Sequence, residues 1–447
     1  MYSSIYRFSR KYLLRGHQEI RRCLKELERS QWLSREVLEK IQLKKIQRLV
    51  TYAFENVPFY RERYRREGIY PQDIKSLKDF QSLPFLTRAD VQNHREDLVS
   101  RVYRGGVSEG RTSGSTGEPM RFIMDTPAAY WSYAFETRCR GWYGVRRGDK
   151  MAWITVPGVR EYSDWPLKDR LAANIKRYRY LNPRMMDESR MLDFLKLLTK
   201  WRPTMIRAYP SALSVFADFL KKRNMKGIDL RLIECTGEKL TTSQKQLFEE
   251  VFQAPVVDHY SALEIFSYAY QCPEGRLHVS EERYIELIEN GQVVDDGKTG
   301  EVAVTALNQY AMPFIRYKNG DVGIYQSSVC SCGRGMPVLQ EILGRKTDLL
   351  VKPNGNSVHW AIVYFIIMSN LQEVHSYQAY QPDRNHLEIR LVSSEKIDPA
   401  RLENTRNEIQ PIFGDEMNIS VIQVDSIEPS KAGKRHFIIS DIKPDSL

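Results

Sequence analysis

The middle of the chain repeats one arrangement of hydrophobic and polar positions at intervals of about 25 to 30 residues. In each repeat a short apolar run precedes a loop of small or polar residues, and a stretch with helical apolar spacing follows. The first apolar run is MAWITVPG, and the three fullest repeats occupy 204–223, 230–252 and 254–270. A strand, a loop and a helix repeated at this distance indicate consecutive βαβ units in a parallel sheet.

The polar loops of these repeats are candidates for a binding cleft. They lie at 209–211, 236–239 and 259–264, each directly after a predicted strand. Ligands of parallel sheets gather at the carboxyl ends of the strands. We therefore expect these loops to face one cleft, joined by the Gly/Ser/Thr-rich stretch at 109–122.

The pattern changes twice towards the C-terminus. After 275 the apolar positions alternate, and Asn-Gly and Asp-Gly pairs mark tight hairpins, which indicates antiparallel sheet. Beyond about 345 come further strands and one clear helix, DPARLENTRNEIQPIF. The sequence therefore predicts an α/β protein with a large N-terminal domain of mixed, largely parallel sheets flanked by helices, an antiparallel section within it, and a small C-terminal α+β domain.

Composition narrows the class of protein. The 447 residues are 42% hydrophobic, enough for two or three cores, and no apolar run is as long as a membrane span. The basic N-terminus has no apolar core before a cleavage site, so we expect no secretion and a cytoplasmic location.

Residues 1–48 hold thirteen Lys/Arg against five Asp/Glu, most of the net charge of +11. Such a local excess is typical of a solvated helix face, with contact to a membrane surface or an acidic partner as the alternative.

The stretch TSGSTG at 112–117 is suited to holding an anion. Glycine lets main-chain amides approach a ligand, and the hydroxyls add donors. No Gly-Lys-Ser/Thr follows at Walker spacing, so a polyphosphate would be held transiently and lost as pyrophosphate. The alternative interpretation of this composition is a flexible surface loop.

Three cysteines and one histidine, all residue types that bind metals, occur in two close pairs in the segments CPEGRLH and CSCGRG. Cys272, His278, Cys330 and Cys332 would make a closed tetrahedral set for structural Zn²⁺. Their spacing is not that of a standard zinc finger, so buried free thiols remain the alternative. The total of six cysteines is too small for a disulfide framework.

Five motifs together resemble the phenylacetate-CoA ligase family of adenylate-forming ligases, in its CapK-like branch. They are RTSGSTGEP, DHYSALE, RYKNGDVG, GRKTDLL and SKAGKRHF, and the N-terminal RLVTYAFENVPFYRERY and LPFLTRADVQ resemble the lead-in of that family. The resemblance covers nearly the whole chain. It implies the adenylate-forming ligase fold: a large domain over 1–343, with a helical lead-in to 110 and a nucleotide- and acid-binding core over 111–343, and a small mobile domain over 344–447.

The resemblance also implies roles for individual residues. Lys434 and Glu264 would be catalytic, the latter through Mg²⁺, Tyr209 and Pro210 would contact the acid, and Thr347 would be the hinge. The residues implied for ATP or AMP are Thr112, Ser113, Gly114, Ser115, Thr116, Gly117, Gly237, Glu238, Tyr260, Asp321 and Arg345. The implied cofactors are ATP, Mg²⁺ and coenzyme A, and similar Cys/His pairs in the family favour the structural Zn²⁺.

The resemblance implies an AMP-forming acid–thiol ligase that makes an acyl-adenylate and passes the acyl group to coenzyme A. The CapK-like branch further implies a role in cell-surface polysaccharide biosynthesis. The partners of this ligase would be a small carboxylic acid and coenzyme A. The aromatic residues near Trp153 permit an aryl or arylacetic acid, and the chain could form a homodimer. One alternative is an adenylyltransferase with a non-thiol acceptor. The other is a basic, zinc-stabilised nucleic-acid-binding protein, which no recognisable nucleic-acid-binding motif supports, so we expect no nucleic acid partner.

Overall fold

A computed structural model describes residues 16–112, 120–155, 173–174, 177–183, 185–225, 228–326, 328–345, 349–355, 357–371, 373–393, 395–428 and 437–442. The chain forms two compact units that are interleaved in sequence. Unit 1 comprises Met1–Arg147 and Val257–Leu343, and unit 2 comprises Gly148–Val256 and Gly344–Leu447. The last crossing between them lies at Leu343 and Gly344, and the predicted division into domains at 343/344 stays a prediction. Mobility of the region after it stays a prediction.

The helices and strands follow the chain in four stretches. The first contains α1 (His17–Ser30), α2 (Arg35–Asn56), α3 (Pro58–Arg66), α4 (Leu77–Phe80), α5 (Arg88–Asn93), β1 (Val107–Arg111), β2 (Arg121–Asp125) and α6 (Thr126–Gly141), with a 3₁₀ turn at Pro71–Asp73. The second contains β3 (Met151–Ile154), β4 (Tyr178–Tyr180), α7 (Glu188–Trp201), β5 (Met205–Ala208), α8 (Pro210–Lys222), β6 (Leu232–Thr236) and α9 (Thr242–Phe252). The third contains β7 (Val256–Ala262), β8 (Phe266–Gln271), β9 (Leu277–Val279), β10 (Arg283–Glu289), β11 (Gln292–Val293), β12 (Thr299–Ala306), β13 (Tyr317–Gln326) and β14 (Val338–Arg345). The fourth contains β15 (Leu349–Val351), β16 (Ser357–His359), α10 (Trp360–Asn370), β17 (Val374–Asp383), β18 (His386–Ser393), α11 (Pro399–Phe413), β19 (Asn418–Gln423) and β20 (Ile438–Ser440).

Unit 1 is built on an antiparallel sheet with the strand order β11-β10-β12-β13-β14-β9-β8-β7. Helices α2 and α3 bury their apolar sides in its core, where Leu49 and Tyr64 lie with Val302, Val304 and Tyr317. This antiparallel sheet confirms the prediction made for the region after 275.

The third predicted repeat was wrong in its helix. A helix was expected after the loop at 259–264, but the chain turns at Phe266, in the left-handed region at φ 62°, and returns as β8 antiparallel to β7. The segment FSYAYQ is rich in aromatic residues, and Tyr268 and Tyr270 are fully buried. Aromatic side chains pack well on a pleated surface, and this packing outweighs the helical apolar spacing.

Unit 2 contains the predicted βαβ units. Strands β6, β5, β3 and β4 are parallel neighbours in that order. Alternate strand residues such as Ile154, Ile206 and Cys235 share a core with Phe216 of α8 and Phe248 of α9. The helices therefore cover one face of this sheet.

The C-terminal stretch of unit 2 is the predicted α+β region. Its strands are ordered β19-β18-β17-β20, and α10 and α11 share their core. Three contacts join it to helices and loops of the second stretch. His375 Nε2 lies 3.0 Å from Asp218 Oδ2, Lys239 Nζ lies 4.4 Å from the centre of the Tyr364 ring, and Ser243 Oγ lies 3.8 Å from the Met368 sulfur.

Among the described residues, no helix has both the length and the apolarity needed to cross a membrane.

Candidate active site and Cys/His cluster

The base of the predicted phosphate-binding stretch is formed by Thr112 and Met120. Their backbones pair (Thr112 N to Met120 O, 3.0 Å), and Thr112 Oγ1 accepts the Met120 N–H at 3.1 Å. Arg88, at the start of α5, donates to the same hydroxyl at 3.1 Å. Arg88 is not among the residues predicted from the sequence, although it follows a capping threonine, Thr87, in the lead-in motif. The rest of the stretch, Ser113, Gly114, Ser115, Thr116 and Gly117, lies outside the described residues.

Two of the predicted nucleotide-binding residues meet in unit 1. The Tyr260 hydroxyl, on β7, donates to Asp321 Oδ2 of β13 at 2.6 Å. Asn319 Nδ2 donates to both groups, to the Tyr260 oxygen at 2.7 Å and to Asp321 Oδ2 at 2.8 Å. Burial and the negative charge of Asp321 raise the pKa of Tyr260 well above its ordinary value, so the phenol stays protonated as a donor. The arrangement holds a carboxylate, with its two acceptor oxygens, in a fixed orientation.

Glu264 lies in the turn after β7 and is 6% exposed. Its Oε1 accepts a hydrogen bond of 3.4 Å from the Tyr317 hydroxyl, and Gln309 Nε2 donates to its backbone oxygen at 3.1 Å. Burial raises the pKa of Tyr268 well above its ordinary value, and the charges of Glu264 and Asp321 both add to the effect. The charges of both carboxylates therefore act on the same tyrosine.

The loops after β5 and β6 come together in unit 2. Gly237 follows β6 with φ 79°, a conformation that glycine adopts without strain. The carboxylate of Glu238 then accepts from Ser211 N (2.9 Å) and Ser211 Oγ (3.0 Å), at the first turn of α8. Tyr209 is the residue that precedes this helix, and Pro210 is its first residue. The loop at 236–239, predicted to bind ATP or AMP (the adenine-side loop), is thus hydrogen-bonded to the loop at 209–211, predicted to contact the acid (the acid-side loop).

The remaining predicted residues divide into two groups. Arg345 is exposed at the end of β14. The predicted hinge, Thr347, and the predicted catalytic lysine, Lys434, lie outside the described residues. Their roles stay predictions.

The predicted Cys/His ligands converge in unit 1. Cys272 follows β8, His278 lies in β9, and Cys330 and Cys332 lie in the turn before β14. Cys272 Sγ is 3.7 Å from Cys330 Sγ, Cys332 Sγ is 3.3 Å from His278 Nε2, and all four ligand atoms lie within 4.8 Å of one another. The sulfur separation is far longer than a disulfide bond, and all of these cysteines are free.

The electrostatics of this cluster suit a cation. Burial, Arg334 and Arg138 lower the pKa of His278 to about 4, so its imidazole is neutral and can act as a ligand. Burial raises the pKa of the Cys272 thiol to about 12, and a bound cation would reverse that effect by stabilising the thiolate. Three thiolates and one imidazole fit a closed tetrahedral site.

The turn that carries Cys330 and Cys332 is joined to the connection between α1 and α2. Gly335 N donates to Gln31 O at 3.0 Å, and Gln31 Oε1 accepts from Arg334 Nε (3.2 Å) and Trp142 Nε1 (3.0 Å). A Cβ atom on Gly335 would lie 1.9 Å from the backbone oxygen of Leu33. Only glycine allows the two backbones to approach this closely.

Comparison with known proteins gives four findings. The family model of the CapK C-terminal domain matches residues 350–441. A phenylacetate-coenzyme A ligase of Thermus thermophilus is 24% identical over 381 residues, 77% of this chain and 78% of that protein. Protein CapK of Staphylococcus aureus is 23% identical over 419 residues, 91% of this chain and 90% of that protein. A crystal structure of 2-hydroxyisobutyryl-CoA ligase has the same fold, with a TM-score of 0.74 at 20% identity over 93% of this chain and 92% of that one.

The chain therefore has the fold of the adenylate-forming CoA ligases, which confirms the predicted fold class. It is similar in sequence to phenylacetate-coenzyme A ligases and to protein CapK, as its motifs predicted. These relatives support the prediction of an enzyme of the AMP-forming acid–CoA ligase type.

Proposed function

We propose that this protein activates a carboxylic acid with ATP and passes the acyl group to coenzyme A. The observation that supports the proposal most strongly is the convergence of Tyr260, Asp321 and Glu264 in unit 1. These are the residues that the motifs assign to adenine, ribose and Mg²⁺. Relatives named phenylacetate-coenzyme A ligase support the same reaction.

The first half-reaction joins the acid to AMP. A carboxylate oxygen attacks the α-phosphorus of ATP, the bond to the bridging oxygen breaks, and pyrophosphate leaves with the electron pair. Asp321 would accept hydrogen bonds from the ribose hydroxyls, the stretch that starts at Thr112 would hold the phosphates, and Glu264 would ligate the Mg²⁺ that accompanies ATP. Lys434 would offset the charge that develops at the α-phosphate.

The second half-reaction makes the thioester. The thiol sulfur of coenzyme A, as it loses its proton, attacks the acyl carbon, and AMP leaves with the electrons of the mixed anhydride. AMP is a good leaving group, whereas the oxygen of a free carboxylate is not. The adenylate therefore supplies the electrophile that the acid lacks.

Acid-dependent exchange of labelled pyrophosphate into ATP tests the proposal. The purified protein, with Mg²⁺ and a panel of aryl, arylacetic, hydroxylated and fatty acids, is expected to catalyse exchange with at least one acid. Adding coenzyme A should then give AMP and a thioester in equal amounts. A stable adenylylated acceptor without a thioester would favour the adenylyltransferase alternative, and duplex DNA binding with no exchange would favour the nucleic-acid alternative.

We further propose that Cys272, His278, Cys330 and Cys332 bind one structural Zn²⁺. Their donor set and their mutual distances support this. Four protein ligands leave no position for substrate, so the ion would stabilise the turns of unit 1 and take no part in the reaction. A role in cell-surface polysaccharide biosynthesis rests on the CapK relatives alone and stays a prediction.

A further inference from the structure

One row of side chains crosses the parallel sheet of unit 2 on the face opposite to its helices. The backbone register places Tyr180 beside Trp153, Trp153 beside Arg207, and Arg207 beside Glu234. Their neighbours along the strands, such as Ile154 and Ile206, belong to the helix-covered core. Because strand side chains alternate, the four residues of this row, which we call the polar row, share the other face.

The polar row combines aromatic surface with a buried ion pair. Arg207 Nη1 lies 3.0 Å from Glu234 Oε1, and these side chains are 13% and 0% exposed. The Arg207 guanidinium also lies 5.2 Å from the centre of the Trp153 ring, and that ring lies 5.6 Å from the ring of Tyr180. Charged groups are rarely this buried without a function or a strong structural reason.

The polar row lies beside the predicted acid- and adenine-side loops. Arg207 precedes Tyr209 by two positions on β5, about 7 Å along a strand, and Glu234 precedes Gly237 by three. Trp153, Arg207 and Tyr180 are only partly buried, so this face is accessible near the carboxyl ends of the strands. A substrate held by those loops would meet the polar row.

Two buried polar atoms beside the polar row lack hydrogen-bond partners among the described residues. They are Trp153 Nε1 and Thr155 Oγ1. Thr155 is 4% exposed, and by strand alternation it lies on the same face as Trp153, at the carboxyl end of β3. A buried donor without a partner is destabilising, and a ligand with a polar group removes that cost.

We propose that the acid activated by this enzyme is a hydroxylated carboxylic acid, recognised by Thr155, Trp153 and the Arg207–Glu234 pair. This inference rests on the proposed function and names the substrate class of the same site. A hydroxyl both donates and accepts, so it satisfies the Thr155 hydroxyl, the Trp153 N–H and either member of the ion pair. A second carboxylate would compete with Glu234 for Arg207, and an ammonium group would compete with Arg207 for Glu234. A hydrocarbon acid would cover the unpaired donors without satisfying them.

Matched pairs of acids test the proposal on the unmodified enzyme. Phenylacetic acid is compared with mandelic and 4-hydroxyphenylacetic acids, and butyric acid with its 2- and 3-hydroxy derivatives, in acid-dependent ATP–pyrophosphate exchange. At least one hydroxylated acid is expected to exceed its deoxy counterpart in kcat/KM by about tenfold or more, because sites built around polar groups reject analogues that lack the matching group. Equal or higher kcat/KM for the deoxy acid in every pair would overturn the inference and leave the proposed function intact.

A substitution separates recognition from folding. Thr155→Val keeps the shape of the side chain and removes its hydroxyl, so the preference for the hydroxylated acid is expected to fall by about tenfold. Thr199→Val is the matched control, since the Thr199 hydroxyl is already bonded to Leu195 O within α7 at 2.9 Å. A structural defect would lower kcat/KM equally for both acids of a pair, and an unchanged ratio in Thr155→Val would contradict the assignment.

Binding measured without turnover keeps the two proposals distinguishable. Quenching of tryptophan fluorescence by each acid of a pair, in the enzyme and in Trp153→Phe, gives affinities even if no exchange is detected. A preference for the hydroxylated acid that weakens in Trp153→Phe supports the inference even where the proposed reaction fails. Equal affinities for both acids would contradict it.

Discussion

At the scale of single residues, the predicted nucleotide-binding residues combine a buried acceptor with buried donors. Asp321 receives hydrogen bonds from Tyr260 and Asn319, so the carboxylate is oriented before any ligand binds. The sequence predicted Tyr260 and Asp321 because they stand in motifs. It did not predict Asn319, since a side chain two positions away in a strand becomes a partner only through the local backbone at Gly320, which has φ 81° within β13.

Asp321→Asn tests this orientation. Replacing the carboxylate with an amide removes charge-assisted hydrogen bonds, each worth about 1.5 to 3 kcal/mol, so kcat/KM for ATP is expected to fall by about 10- to 100-fold. The KM for the acid is expected to change little, because the acid-side loops belong to unit 2. Steady-state kinetics with each substrate varied in turn give the two values. The exposed Asp295→Asn in the same unit is the control, and equal effects on ATP and acid would contradict the ribose role.

At the scale of elements, the Cys/His cluster joins β8, β9 and the turn before β14. Which four residues converge was predictable, because each pair is local in sequence and one chemistry suits both pairs. The polar row was not predictable, since it exists only through the register of four strands separated by helices. The helix wrongly expected after 264 has the same origin, because pairing with β7 makes this segment a strand.

Removal of one ligand tests whether the Cys/His cluster binds zinc and stabilises the turns of unit 1. Cys330→Ser is expected to abolish a zinc content of one ion per chain and to lower Tm by about 5 °C or more, as a loss of a few kcal/mol would in a chain of this size. Elemental analysis and calorimetry measure both. Cys139→Ala, in the buried part of α6, is the control that keeps the zinc while losing a buried thiol. Native protein without metal, or an unchanged Tm in Cys330→Ser, would refute the proposal.

At the scale of the whole molecule, the chain forms two compact units that are interleaved in sequence. The family resemblance predicted a division into domains at 343/344, and that division stays a prediction. The resemblance did not predict that residues 344–442 would share a compact unit with 148–256. That grouping rests on contacts such as His375 with Asp218 and Lys239 with Tyr364, whose partners are far apart in sequence and belong to no motif.

Substitutions at Lys434 and Thr347 test whether these two residues serve different half-reactions. Lys434→Ala is expected to slow adenylate formation by about 100-fold or more, the scale for losing one charge partner of the transition state, and to spare thioester formation from supplied acyl-AMP. Thr347→Pro is expected to show the opposite pattern, because a fixed φ restricts a hinge. Single-turnover assays of both steps in both variants decide the matter. Equal losses in the two steps for Lys434→Ala would contradict a division of labour.

The close approach of Gly335 to Leu33 has a consequence for how such proteins diversify over generations. The turn with Cys330 and Cys332 and the connection between α1 and α2 must be inherited as one block, because any side chain at 335 would collide with a backbone that is distant in sequence. The strands that carry the polar row belong to the other unit, so this contact does not constrain them. If the polar row recognises the acid as proposed, substitution of a few strand residues would change the substrate, whereas recombination inside the block would require both of its ends from the same parent.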